Sequence, residues 1–145
     1  MEVTNEAIAK KMMYLSRLHK QRIGEAVSEF GLFTCQTPAL LLIARHGSPM
    51  QKALAAELSV SPPTMSAALQ RMEKAGVVTR NIDGADARAV RVTLTEKGTQ
   101  LVGRARAAIR VADEKLLSGF SELEKTTFYS FLERAEENLA EGNLL

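Results

Sequence analysis

The sequence of 145 residues holds a single cysteine, Cys35, so no disulfide can close within the chain and a reducing compartment is the expected setting. No stretch approaches the roughly 20 apolar residues that a membrane-spanning helix needs. The longest run, Ala39–Ala44, has the length of a buried core segment. Met1–Lys20 lacks the uninterrupted apolar centre of a signal peptide. Together these absences predict a cytoplasmic protein with no membrane partner. Catalytic signatures are missing too. There is no G-x-S-x-G, no glycine-rich phosphate loop and no cysteine–histidine pair in a recognisable context, so an enzyme is not expected. His19 and His46 stand far apart and no cluster of acids and cysteine accompanies them. A metal site needs convergent ligands at defined spacing, so neither a metal nor a cofactor is expected, and the histidines read as solvated or helix-capping. No internal repeat or low-complexity segment is present.

Charge of one sign is also scarce. The formal net charge is +2, which by itself argues neither for nor against nucleic acid. Its distribution says more. Lys97, Arg104, Arg106 and Arg110 come first in the C-terminal third, followed by Glu122, Glu124, Glu133, Glu136, Glu137 and Glu141. Phosphate contact needs positive charge, so the last helix is a poor surface for DNA. What the chain does have is apolar content: hydrophobic residues make up 46%, enough to build a core.

Ile8, Met12, Leu15, Leu18, Ile23, Val27 and Phe30 recur at helical spacing, which predicts a long amphipathic helix over roughly Asn5–Phe30, stopped by Gly31. Thr34 is placed to cap a second helix, Pro38–Arg45, closed by His46-Gly47. Ser48-Pro49-Met50-Gln51 reads as a capping box, with Gln51 reaching back to Ser48, and opens a short helix ending near Leu58. After the tight link Ser59-Val60, Ser61-Pro62-Pro63 restarts a helix to about Lys74, ended by Ala75-Gly76. The two prolines are tolerable there because first-turn amides have no intrahelical partner. The period then changes. Val77–Arg80 and Val90–Leu94 alternate as the two strands of a hairpin, joined by turn residues over 81–87. Thr95 caps a long helix with Leu101, Ala105, Ala108, Ile109, Ala112 and Leu116 on one stripe. Gly119 breaks it, and the capping box Ser121–Glu124 opens a last helix bearing Phe128, Phe131, Leu132, Ala135 and Leu139.

The informative stretch is Gln51 to Leu69. Leu54, Ala55 and Leu58 share one face of the first short helix, and Met65, Ala68, Leu69 and Met72 share one face of the next. Small Ala55 allows a close crossing and Val60 plugs the turn. This is the spacing of a helix-turn-helix, whose second helix enters the major groove by its N-terminal end. Its outward positions then form the DNA face: Ser61, Pro62, Thr64, Ser66, Ala67, Gln70, Arg71 and Lys74. Hydroxyl and amide groups bond base edges or phosphates, Ala67 suits a thymine methyl, and Arg71 and Lys74 neutralise phosphates. The helix N-terminus is expected to add amides and a positive dipole end aimed at phosphate. A strand–basic tip–strand directly behind such a pair makes a wing that lies along the DNA backbone. Arg80 stands on its first strand and Arg88 at its tip, with Asp86 placed to pair with Arg88 and hold the wing's shape.

Set beside these segments, the chain resembles the MarR (multiple antibiotic resistance regulator) family. The resemblance is carried by Gln51–Leu58, Ser61–Ser66, Arg71–Val78, Asp86-Ala87-Arg88 and Val92–Gly98, and it covers nearly the whole chain. It implies a fold that is mainly α with a small β-hairpin wing. It also implies a homodimer whose first, fifth and sixth helices interlock, leaving two winged modules to bind a palindromic operator. On this view residues 1–32 and 96–145 form the helical dimerisation region, and 33–95 the winged helix-turn-helix. Such regulators usually repress, and many release DNA when a small aromatic or phenolic molecule binds between the two regions. Leu15, Leu18, Phe33, Leu41 and Arg45 are the candidates for that pocket, though each reads more readily as core or dimer packing. Some relatives sense oxidants through a cysteine in the first helix. Cys35 stands near the start of the second and reads as a packed thiol. Three functions share these residues: a ligand-responsive repressor, an effector-independent DNA-binding protein, and a winged-helix protein–protein adaptor.

Overall fold

The computed structural model describes residues 3–32, 36–82, 84, 86 and 88–141. Its elements in chain order are α1 (Asn5–Ser28), α2 (Gln36–His46), α3 (Gln51–Glu57), α4 (Pro62–Lys74), β1 (Val78–Ile82), β2 (Val90–Leu94), α5 (Glu96–Leu116) and α6 (Glu122–Ala140). The expected cap Thr34, and with it Phe33 and Cys35, lie outside the described residues. The chain divides into two compact units, Met1–Ala112 and Asp113–Leu145.

In the first unit α1 starts at Thr4, whose hydroxyl accepts from the Ala7 amide at 3.2 Å. Its apolar stripe is unevenly covered. Val27 is buried and Ile23 and Phe30 pack on the core, but Ile8 and Met12 are exposed. The core itself is built from Leu40 and Ile43 of α2, Leu54 and Ala55 of α3, Met65, Leu69 and Met72 of α4, Val78 and Val92 of the hairpin, and Leu101, Val102 and Ala105 of α5. Each large side chain fully buried in this way contributes about 1.5–3 kcal/mol. The helix-turn-helix crossing forms as its pattern dictates. Ser59 takes the left-handed conformation (φ 52°) between α3 and α4, and the Val60 amide closes the turn on the Ala55 carbonyl at 3.0 Å. His46 does not simply face solvent: its Nε2 lies 3.1 Å from Glu57 Oε2, tying α2 to α3.

One expected cap is corrected. Ser48 does not cap α3, and Gln51 does not reach back to it. The residue before α3 is Met50, which is extended (φ −70°, ψ 138°) and offers no side-chain cap. Gln51 Oε1 is instead buried without a hydrogen-bond partner among the described residues. The cause lies in the hairpin. The Pro49 carbonyl accepts from the Val92 amide at 3.0 Å, Met50 bridges Arg91, and the Ser48 carbonyl accepts from Arg91 Nη1 at 2.9 Å. Backbone and guanidinium bonds along an otherwise open strand edge outweigh one side-chain cap. As a result β2 is held on both edges, by β1 in the register Val78↔Leu94 to Ile82↔Val90 and by the extended segment before α3.

The hairpin joins α4 to α5 at a tight corner. The Val77 amide donates to the Met72 carbonyl at 2.9 Å, and the Thr95 amide donates to the Val77 carbonyl at 3.1 Å. The Thr95 hydroxyl shares its hydrogen between the Gly76 carbonyl (2.6 Å) and the Val77 carbonyl (3.1 Å), and accepts from the Gly98 amide at 3.1 Å. Lys97 Nζ adds a bond to the Ala75 carbonyl at 2.8 Å. Gly98 sits so close that a Cβ there would collide with the Val77 carbonyl oxygen.

In the second unit, Ser121 and Glu124 form the expected capping box. The Ser121 amide donates to Glu124 Oε2 at 2.8 Å and the Glu124 amide to Ser121 Oγ at 3.3 Å. Phe120 and Phe128 meet edge to face, with centroids 6.3 Å apart. Within this unit α6 buries no residue fully, and Phe131, Leu132 and Leu139 remain exposed.

Two glycines of α5 should respond in opposite directions. Gly98→Ala should destabilise the fold by about 1–3 kcal/mol, because backbone must move to admit the methyl. Gly103→Ala meets nothing within 4 Å and should stabilise by about 0.5–1 kcal/mol, as helix propensity dictates. Urea unfolding midpoints read both, and equal shifts would dismiss the close approach as a constraint.

Candidate nucleic-acid interface

α4 is divided lengthwise. Met65, Ala68, Leu69 and Met72 are each 2% exposed or less. On the other side Ser61, Pro62, Thr64, Ala67, Gln70, Arg71 and Lys74 are exposed, with Ser66 half-buried at the margin. Apolar burial of one face is therefore what turns the polar face outward. At its start Ser61 is the cap, accepting from the Thr64 amide at 3.3 Å, and its hydroxyl lies 2.7 Å from that of Thr64. Two hydroxyls sharing one bond keep one hydrogen to offer outward.

The expectation of amides aimed at phosphate narrows at this helix end. Pro62 and Pro63 have no N–H, the Thr64 amide is taken by Ser61 Oγ, and the Met65 amide donates to the Ser61 carbonyl at 3.0 Å. Residues 62–65 therefore offer no backbone donor to a phosphate, while the dipole end remains.

In the wing, Asp86 acts on backbone rather than on a side chain. Its Oδ1 accepts from the Arg88 amide at 2.9 Å, and its carbonyl accepts from the Ala89 amide at 2.9 Å. The expected carboxylate–guanidinium pair is thus replaced by a turn that fixes where Arg88 leaves the backbone. Both residues are exposed.

Arg80 is turned back towards the protein. Its amide donates to Glu73 Oε2 at 3.0 Å and its Nη2 to Glu73 Oε1 at 3.2 Å. Its side chain is only 21% exposed. The hydrogen bond from the Arg80 guanidinium holds the Glu73 carboxyl below the usual carboxylate range, against a smaller opposing effect of burial. Sequence reasoning passed over Glu73, although a signal was present. It lies in the last turn of α4, where the helix dipole disfavours an anion, so its charge needs a cationic partner.

The candidate ligand-pocket residues differ in exposure. Leu15, Leu18 and Leu41 are half-buried, Arg45 is exposed, and Phe33 lies outside the described residues. A cleft of about 520 Å³ lies elsewhere in the first unit. Phe30, Leu32, Met72 and Leu101 line its apolar wall, and Arg71 and Lys97 stand beside them. None of Leu15, Leu18, Leu41 and Arg45 borders it.

The lowered Glu73 pKa carries a pH dependence of stability. A depressed carboxyl contributes fully above its unfolded value, 4.5, and the contribution is lost as pH falls through the lower folded value. The urea midpoint should therefore fall below pH 4.5, and should fall less in Glu73→Gln. Parallel profiles for the two proteins would mean that the Arg80 bond adds nothing to stability.

Comparison with known proteins agrees with this geometry. The model of the MarR family matches residues 36–90. The crystal structure of a MarR transcriptional regulator from Methanosarcina mazei Go1 superimposes with a TM-score of 0.80 at 30% identity, covering 92% of this chain and 96% of that one. An HTH-type transcriptional repressor of Mycobacterium tuberculosis (strain ATCC 25618 / H37Rv) is 29% identical over 115 residues, 79% of this chain and 83% of its own length. A mutant MarR from E.coli complexed with operator DNA shares the fold, with a TM-score of 0.75 at 20% identity, over 93% of this chain and 99% of that one. A helix-turn-helix, a hairpin wing behind it and flanking helices at both ends, matched over nine-tenths of a relative's length, place the chain in the MarR family.

Proposed function

We propose that this chain is a sequence-specific DNA-binding transcriptional regulator that works as a homodimeric repressor on a palindromic operator. The observation that carries the reading is the outward polar face of α4 with a hairpin braced directly behind it. A relative in Mycobacterium tuberculosis is named as a transcriptional repressor, and a mutant MarR from E.coli has been captured on operator DNA, which supports the same role here. Its work is binding rather than catalysis. Ser61, Thr64, Ser66 and Gln70 read base edges, Pro62 and Ala67 supply the apolar part of the surface, and Arg71 and Lys74 meet phosphates. Arg88 tracks the backbone or the minor groove from the wing tip.

Two copies are supported by uncovered apolar surface. Ile8, Met12, Met13 and Tyr14 of α1 are exposed in the first unit, and Phe131, Leu132 and Leu139 of α6 in the second. A second chain would remove both sets from water, and residues 1–32 and 96–145 then form the dimerisation region around the 33–95 module. A two-fold axis would space the α4 helices one DNA turn apart, ~34–36 Å. Response to a small phenolic or aromatic molecule is supported by the cleft at Phe30, Leu32, Met72 and Leu101, where Arg71 and Lys97 suit an anionic substituent.

Selection from random DNA tests the reading. A palindromic site should emerge, and affinity for it should fall steeply with salt. Arg88→Ala should weaken binding to all sequences, whereas Gln70→Ala should mainly relax discrimination among them. A protein adaptor would bind no DNA even at low salt, and that result rejects the proposal. Sedimentation at micromolar concentration should give a dimer, and a clean monomer would reject the two-fold arrangement.

A further inference from the structure

Glu73 poses a problem for a DNA-binding surface, because it places an anion between two groups that must approach phosphate. It belongs to α4, one residue before Lys74, yet its carboxylate faces β1. Both of its oxygens are used there: Oε2 takes the Arg80 backbone amide at 3.0 Å, and Oε1 takes the Arg80 Nη2 at 3.2 Å. The guanidinium is correspondingly withdrawn. Arg80 Nε is buried with no hydrogen-bond partner among the described residues. Arg80 is paired in the ladder with Val92, and Val92 is in turn bonded to Pro49, so the bond from Glu73 reaches the full width of the hairpin.

We infer that Glu73 is a positioning residue for DNA binding, which clamps the wing to α4 through Arg80 so that Arg88 and the α4 face engage one half-site together, and that Arg80 is part of this clamp rather than a DNA contact. The inference rests on the DNA-binding reading above, and it revises the placement of Arg80 on the DNA face. It reverses the sign that charge alone would give. Removing an anion near phosphates ordinarily strengthens binding, since it lessens repulsion. Removing this one frees the wing, and the Arg88 contact goes with it.

The two halves of the clamp are nested, not equivalent. Glu73→Ala removes both hydrogen bonds. Arg80→Ala removes the guanidinium bond but keeps the backbone amide on Glu73 Oε2. Affinities are measured on a site selected with the parent protein, using the full chain. Glu73→Ala should lose about tenfold, Arg80→Ala somewhat less, and the double variant no more than Glu73→Ala alone. A readout that general loss of stability would not move is the coupling to Arg88, whose amide is held by Asp86 and not by Glu73 or Arg80. Arg88→Ala should cost the parent its full factor and cost the Glu73→Ala protein almost nothing. Glu73→Gln keeps an acceptor for the amide and should fall between parent and Glu73→Ala, which guards against a variant that fails to fold.

Tighter or unchanged binding by Glu73→Ala overturns the inference. So does additivity between Arg80→Ala and Glu73→Ala, or an Arg88→Ala loss that is the same in both backgrounds. Arg80 would then be a phosphate contact in its own right. If the parent itself selects no DNA, the reading of function fails before the clamp is tested, so the two failures are distinct.

Discussion

One backbone carbonyl, that of Val77, carries the geometry on which the remainder of the DNA-binding unit depends. It accepts from the Thr95 amide and shares the Thr95 hydroxyl, while Gly98 presses against it with no side chain to hold it off. Its own residue bonds back to Met72 in the last turn of α4. Three elements therefore leave a single point in fixed directions: α4 backwards, the hairpin outwards and α5 onwards. Small residues and one hydroxyl achieve this because the bonds are short and local, and a larger residue at position 98 would drive the three apart. The wing is then a lever mounted on that point, with Pro49 and Met50 bracing one edge and Glu73 the other side.

Much of this was legible in the sequence because it depends on period and on caps. The inward faces of α3 and α4 follow directly from Leu54, Ala55, Met65, Leu69 and Met72. The Ser61 and Ser121 caps also stand where residue type and spacing place them. What was not legible needed two parts of the chain at once. The Ser48 capping box is locally sound, and it fails only because β2, some forty residues later, offers Pro49 and Met50 a better set of partners. Arg80 looks like a free cation on a strand until Glu73 is brought opposite it. Asp86 and Arg88 were paired correctly but by the wrong atoms, since spacing names neighbours and not which group is bonded. The cleft beside Phe30 and Lys97 draws residues from four separate stretches, which no single window reveals.

The same contrast separates the two surfaces of the protein. The DNA face is polar, preformed and held by hydrogen bonds, so its shape exists in one chain. The apolar faces of α1 and α6 are the reverse, having helical form but only partial cover within their own units. The proposed two-fold pairing would take these side chains out of water. Arg71 sits where several demands meet, because it belongs to the outward face of α4 and also lines the cleft.

The two prolines at the start of α4 have an effect on how the protein can change. Since Ser61 closes the first turn and Pro62 and Pro63 ask for nothing, the helix is complete before DNA arrives. Association then costs no ordering at that end. Positions 67 and 70, on the exposed face of α4, take no part in that first-turn bonding. On the proposed reading, substitutions there would change which sequence is preferred while the buried face of α4 stands unaltered. A gene duplicate could therefore acquire a new operator by a few exposed replacements, without first surviving an unstable intermediate.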